Sequence, residues 1–589
     1  MTIVGDKRMT LFSERIYSDF KVWLAISMIA SLAFGLISVF YGFSHEYVVQ
    51  DDTRHHVFWM WRMINPDVFP DDLIADYFQR VSPLGYRYFY SFFSLLSINP
   101  ITLSKVLPLI LGLVMTGYCF GICFELVPIP IAGFLSSLIL NQLVWAEDNL
   151  ISATPRAFVY PIFLAFIYYY IKKAIWPLLI TIVLQGLFYP QYSLIIIFTL
   201  LVSFLFDVFS VKESVSLWPK VISKQFNKSL LFHFLGISFA TLTLLLFKLT
   251  SHGFGPVVTL EEAKQMLEFT NIGRFPFFDK NAVCFWLAKK NSGLISAYNS
   301  TTSCQLYVGS FVLGFPPLIW LGLIFPVLLK NKDLLSRLEI DSSKYRIIFY
   351  ISIASVLMYF LAHIFLLNLH LPARYTVHSV RIILAILAGI TITILVPLIR
   401  SWNKILYLSS IFILIISFTA FPFLTKNFAS KTFIKGDEPG LYNFLADQPK
   451  DIIVASFAKE ADNIPIFSQR SVLINRENAI PFHMGYYREY RQRAHDLLDA
   501  QYTGSFRVLK SFIETYSVDF WLLDKYAFEK AYLSDSWVQQ YQPMFNKVLK
   551  RVDRDKKPIL SRLANKCTVL KGNDIRLIDA NCILKSKKQ

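Results

Sequence analysis

Residues 22–43 read VWLAISMIASLAFGLISVFYGF, a run without one charged side chain. Wound as an α-helix it is about 33 Å long, enough to cross the roughly 30 Å hydrocarbon layer of a bilayer. A helix on a water-soluble core needs a polar face, and this run has none. Ten further apolar stretches follow, at about 106–124, 129–146, 157–171, 174–188, 190–209, 229–250, 306–329, 347–367, 381–399 and 405–423. The fold class expected is therefore an α-helical polytopic membrane protein of about eleven spans. Composition agrees, since 17% of the 589 residues are charged and soluble domains run nearer a quarter. The first run is too long for the apolar core of a signal peptide and no small-x-small cleavage site follows it, so it reads as a signal anchor.

The net charge of +17 has a topological reading. With the N-terminus inside, the inner segments hold Lys7, Arg8, Arg15 and Lys21, then Lys172 and Lys173, Lys212 to Lys228, Lys330 to Arg346, and Arg400 and Lys404. Lys and Arg concentrate in cytoplasmic loops, so this orientation is favoured and the reverse rejected. It places loops 44–105 and 251–305, and everything after residue 424, outside the cytoplasm. The chain carries no nucleic-acid-binding motif, and nucleic acid is not an expected partner.

Residues 1–425 thus form a membrane domain. Residues 426–589 are more polar, with short β-rich runs at 451–456, 471–475 and 519–524 between helical stretches at 440–448 and 488–502; they predict a small extracytoplasmic α/β domain. Of six cysteines, Cys119 and Cys123 sit in an apolar run and read as packing residues. Cys284 with Cys304, and Cys567 with Cys582, fall in segments placed outside, where disulfides persist.

Carboxylates, histidines and arginines gather at the outer span ends. After the first span come Asp51, Asp52, Arg54, His55 and His56; after the third, Glu147, Asp148 and Arg156; in the long loop, Arg274; before the tenth, His370, Arg374, Tyr375, His378 and Arg381. Residues 57–64, VFWMWRMI, read as an interfacial helix with Trp59 and Trp61 at headgroup level. That would hold Asp51 and Asp52 near the bilayer surface, whereas Asp71, Asp72 and Asp76 read as structural or capping residues. The adjacent acids Glu147 and Asp148 are hard oxygen ligands suited to Mg²⁺ or Mn²⁺. Arginines at membrane depth, Arg156 and Arg381, either snorkel or clamp a lipid-linked phosphate bidentately.

An acid just after the first span, an acidic pair after the third, and a late Arg-Tyr boundary resemble the GT-C superfamily of integral membrane glycosyltransferases. The phrases DDTRHHVFWMWRM, TPRAFVYP, NIGRFPFF, LPARYTVHSVRI and IPIFSQRSVLINRENAIPFHMGYYREYRQR are similar to a bacterial, cyanobacterial-type branch, which implies a bacterial plasma membrane. The resemblance implies a polyprenyl-phosphate-linked sugar donor, a glycan, lipid or protein acceptor, and a site at the outer membrane surface. It implies that Asp52 or Asp51 is the general base, that Glu147 and Asp148 bind a divalent cation or the acceptor, and that Arg374, with Arg274 and Arg156, stabilises the leaving lipid phosphate, Tyr375, His378 and Arg381 lying at the same boundary. Direct attack assisted by a single base implies inversion at the anomeric carbon. A polymerase or ligase of lipid-linked glycans, a flippase for them, and a membrane-anchored sensor remain as other readings of the same residues.

Overall fold

The apolar runs become helices because their backbone polar groups have no other partner in hydrocarbon. The computed structural model describes residues 19–214, 219–295, 315–331, 341–553 and 557–586. The long helices are α1 (Phe20–Gly42), α2 (Pro100–Leu126), α3 (Pro130–Trp145), α4 (Val159–Ile171), α5 (Ile175–Phe188), α6 (Gln191–Ser214), α7 (Pro219–Ser251), α8 (Arg346–Ile364), α9 (Arg374–Trp402) and α10 (Lys404–Leu424). Among the described residues, seven helices are long and apolar enough to cross a membrane, and four shorter apolar ones, including Pro317–Leu328, account for the remaining expected spans.

Small residues decide how the bundle closes. The buried residues of α1 are Ser27, Ser31, Gly35, Ser38 and Gly42, a small-residue stripe of the kind that lets membrane helices approach closely. A Cβ at Gly35 would meet the Leu109 backbone of α2 at 3.2 Å. Helix α9 closes on α3 the same way, with a Cβ at Gly389 only 2.4 Å from the Ser136 backbone nitrogen, and Ser136 Oγ donates to the Ile386 carbonyl at 3.0 Å. These contacts set α1 against α2 and α9 against α3; Asp51/Asp52 follow α1, Glu147/Asp148 follow α3, and Arg374 begins α9.

The chain leaving α1 forms β1 (Val48–Gln50), paired antiparallel with β2 (Phe433–Lys435), which follows α10. Asp51 N donates to Thr432 O at 2.9 Å, and Gln50 Oε1 accepts from Asp52 N at 2.8 Å. Ala429 N donates to Trp145 O at 2.9 Å, tying the same segment to the end of α3.

The C-terminal α/β domain is built on a five-stranded sheet in the order β4-β3-β5-β7-β6, from β3 (Ile453–Ser456), β4 (Ser471–Val472), β5 (Phe520–Asp524), β6 (Thr568–Lys571) and β7 (Ile575–Asp579). Strand β3 runs parallel to β4 and β5; β7 is antiparallel to β5 and β6. The expected strands and helices at 439–524 are present, while β6 and β7 lie beyond them. Cys567 and Cys582 are disulfide-bonded, fastening helix Ile559–Cys567 to helix Ala580–Lys585.

One expectation is corrected. The segment after Asp52 is not interfacial: Phe58–Met63 is a 3₁₀ helix whose Phe58, Trp59 and Met60 are fully buried. Trp61 Nε1 donates to the Ile466 carbonyl of the C-terminal domain at 3.2 Å. Phe58 and Trp59 are thus covered by protein, and the indole N–H of Trp61 is taken by a protein carbonyl. Asp72 does cap a helix, Leu73–Val81, accepting from Ile74 N and Ala75 N, and Asp76 pairs with Arg62 at 2.7 Å.

Candidate active site

Asp51 and Asp52 are neighbours in sequence that serve different clusters. The short helix Thr53–His56 begins directly after them, and its first turn aims the two carboxylates apart. Asp51 pairs with Arg54. Arg54, 6% exposed, also reaches Glu477 at 3.2 Å and Asp462 at 3.8 Å in the C-terminal domain, and it donates to Asn463 Oδ1 at 3.1 Å. Burial and Glu477 push the Asp51 carboxyl up, against the pull of Arg54. Burial would raise Glu477 as well, but Arg274, His55 and Arg54 outweigh it and hold this carboxylate well below its usual range.

Asp52 faces the bundle. Its Oδ2 pairs with Arg156, brought there by the 3₁₀ turn Pro155–Phe158 that starts the fourth apolar stretch. Arg156 also meets Asp148 at 3.3 Å, and Lys290 from the long loop lies 3.7 Å from Asp148. Burial favours a neutral Asp148, but Arg156, Lys290, Arg374 and Lys431 together hold its carboxyl below the ordinary range, so it stays ionised. Glu147, beside it, accepts from Lys431 at 3.0 Å and has Arg381 at 3.9 Å.

Arg374, the first residue of α9, points into this group. It lies within electrostatic reach of Tyr189, Arg156, Asp148 and Asp52, yet among the described residues its guanidinium has neither a hydrogen-bond nor an ion-pair partner. Two turns further along α9, Arg381 is 4% exposed with Nε and Nη1 unpartnered. His378 is fully buried, its Nδ1 3.1 Å from Tyr160 Oη and its Nε2 unpartnered. His56, beside Arg156 and Arg374, is kept neutral, since burial first, then the adjacent His55 and these two arginines, push its imidazole well below its ordinary value.

The cluster therefore gathers Asp52, Glu147, Asp148, Arg156, Arg374, Arg381 and His378 from the sequence expectations. It does not include three others. Asp51 turns to Arg54. Arg274 pairs with Glu477 at 2.9 Å and donates from Nε to Arg476 O at 2.9 Å. Tyr375 is fully buried, and its hydroxyl donates to Leu369 O, holding the turn before α9. Lys290 and Lys431 are additions whose sequence surroundings look like ordinary solvated charge; His55, expected at the outer face, lies between Asp52 and Glu477 of the C-terminal domain. Cys284 is disulfide-bonded; Cys304 lies outside the described residues. Cys119 and Cys123 are free and buried.

The arrangement does not fit a divalent cation. Among the described residues no three His, Cys, Asp or Glu side chains converge on one point, and each of the three acids is engaged by a cationic side chain. Arg156, Lys290, Arg374, Arg381 and Lys431 outnumber Asp52, Glu147 and Asp148. A site with surplus positive charge and an unpaired guanidinium is built for an anion.

No protein-family model matches the chain, and no curated protein matches it. Among solved structures it is similar to the Archaeoglobus fulgidus oligosaccharyltransferase tethered to an acceptor peptide containing the NVT sequon, with TM-score 0.47 and 12% identity over 90% of this chain and 72% of that one. It is similar also to the oligosaccharyltransferase AglB of that organism in complex with an inhibitory peptide and a dolichol-phosphate (TM-score 0.41, 12% identity, 90% and 72% covered). A structure of the Archaeoglobus enzyme in complex with Zn and sulfate gives TM-score 0.40 and 11% identity over 89% and 70% of the two chains.

Proposed function

We propose that the chain is a GT-C-type membrane glycosyltransferase that moves a sugar from a polyprenyl-phosphate-linked donor to an acceptor hydroxyl. The observation that carries this reading is Arg374, a guanidinium without a protein partner among the described residues, next to Arg156 and close to the Asp52 carboxyl group after the first span. The residues behind the GT-C resemblance are largely those that meet here. On this reading residues 1–425 are the transferase unit and 426–589 its extracytoplasmic domain, and the positive-inside pattern sets the site at the outer face of a bacterial plasma membrane.

Asp52 is the base. Arg156 holds its Oδ2, which leaves Oδ1 to take the proton as the acceptor oxygen attacks the anomeric carbon. The bond from that carbon to the phosphate oxygen breaks, its electron pair leaves with the lipid phosphate, and Arg374 and Arg156 stabilise the charge that develops. Attack opposite the leaving group inverts the anomeric centre. Fixed cations supply the charge that a metal would otherwise provide. The sequence holds no WWD triplet, so nothing in it ties the acceptor to a protein sequon. The test is purified protein in lipid nanodiscs with polyprenyl-phosphate sugars, read as released or transferred sugar. Consumption of the donor supports the reading; translocation of intact donor without consumption overturns it in favour of a flippase.

A further inference from the structure

The C-terminal domain reaches Asp52 through one histidine. Strands β3 and β4 are parallel, and the chain leaving each carries Asp462 with Asn463, and Glu477, onto the helix Thr53–His56. Functional groups of open α/β sheets collect outside the carboxyl ends of parallel strands, and here that edge is docked on the segment bearing the base. Glu477 is 5% exposed. Its Oε1 lies 3.0 Å from His55 Nδ1 and 2.9 Å from Arg274; its Oε2 meets Arg54 at 3.2 Å. On the far side of the ring, His55 Nε2 is 3.9 Å from Asp52 Oδ1.

We propose that Glu477 is a positioning residue of the transfer site, holding His55 so that its Nε2 faces Asp52 as a proton acceptor. The inference rests on Asp52 being the base. A carboxylate that accepts from Nδ1 puts the ring hydrogen there, and in the neutral imidazole this leaves a lone pair on Nε2. With Oδ2 of Asp52 taken by Arg156, the proton removed from the acceptor hydroxyl arrives on Oδ1, the oxygen nearest His55. It passes to Nε2 and Asp52 is restored as carboxylate, while the imidazolium sits against Glu477. No proton is lost or gained, and the electron pair of the broken sugar–phosphate bond has already left with the phosphate. The groups facing the ring are Asp52, Glu477, the His56 ring at 4.4 Å between centroids and the Phe78 ring at 5.5 Å.

The test uses full-length protein in nanodiscs, undecaprenyl-phosphate hexose as the donor probe, and the variants His55→Gln, Glu477→Gln and both together. His55→Gln leaves the Glu477 pairs with Arg54 and Arg274 in place, so it reports on the relay without disturbing the docking. Each single variant is expected to lose kcat by about a hundredfold at unchanged donor KM, and the double variant to lose no more than the worse single one. Wild-type kcat in either single variant, or multiplied losses in the double, overturns the proposal. A second readout does not depend on turnover: ¹⁵N shifts of the His55 ring should report Nδ1–H in wild type and a changed tautomer population in Glu477→Gln. An Nε2–H ring in wild type refutes the positioning role even if donor is consumed. The expected tautomer without any donor consumption refutes the glycosyltransferase reading instead.

Discussion

Arg156 donates to Asp52 across 104 residues of sequence, while Asp51, one residue away, turns its carboxylate to Arg54. Two adjacent acids are thereby assigned to two structures: Asp52 to the cation-rich end of the bundle, Asp51 to the contact with the C-terminal domain.

Arg374 is the clearest case of a charge kept without a protein partner among the described residues. Arg374→Ala should lower kcat with a polyprenyl-phosphate donor by about 10²- to 10³-fold, the usual loss on removing one electrostatic stabiliser of the transition state. Arg374→Lys should recover part of that, because it retains the charge and loses the bidentate fork. Since no ion pair is broken, thermal unfolding of Arg374→Ala should occur at or above the wild-type temperature. A lower unfolding temperature would mean that Arg374 is a structural residue.

Charge balance also predicts the response to chelators. Because the three acids already have cationic partners, donor turnover should be unchanged by excess EDTA and by added Mg²⁺ or Mn²⁺. Loss of turnover with EDTA, restored by either ion, would show that the acids exchange their cationic partners for a metal.

Much of this was readable in the sequence. The apolar runs locate the helices because hydrocarbon leaves the backbone few alternatives, and the acids and arginines at span ends are largely those that the bundle brings into one cluster. Which of two adjacent acids faces inward depends on a single turn of Thr53–His56, and hydropathy does not report it. Lys290 and Lys431 resemble solvated loop charges until the fold brings them to Asp148 and Glu147. Glu477 sits in a phrase that already stood out, SVLINRENAIPF, yet its link to His55 spans 422 residues, and only the docked C-terminal domain supplies it. Trp59 and Trp61 have the composition of a membrane-interface belt, but Trp59 is buried within the protein and Trp61 bonds to the C-terminal domain, and composition does not distinguish those two kinds of apolar partner.

His56 gives a pH dependence of definite sign. Its folded-state value lies well below the ordinary 6.5, so below about pH 6.5 the unfolded chain binds this proton more tightly than the folded one, and stability falls with falling pH. Between pH 6.5 and 5 the group should contribute a loss of up to about 2 kcal/mol. His56→Gln should remove that share, flattening the acid side of an unfolding-temperature profile measured in detergent. An unchanged profile would place His56 in contact with solvent.

The disulfide between Cys567 and Cys582 closes a loop with a sequence separation of 15, for which chain-entropy arguments give about 3 kcal/mol. Replacing both cysteines by serine should destabilise the C-terminal domain by about 2–4 kcal/mol, seen as earlier proteolysis of residues 557–586 on heating. Alkylation of both thiols in protein that has not been reduced would contradict the bond.

The central claim is that Asp52, not Asp51, takes the proton at a site for a lipid-linked sugar phosphate. Its most direct test is single-turnover consumption of a polyprenyl-phosphate sugar by wild type, Asp52→Asn and Asp51→Asn. Asp52→Asn should slow the reaction by about 10²- to 10⁴-fold, as expected for loss of a general base, with Asp51→Asn remaining within about tenfold of wild type because its carboxylate faces Arg54. Wild-type rates in Asp52→Asn, or a collapse confined to Asp51→Asn, would contradict it.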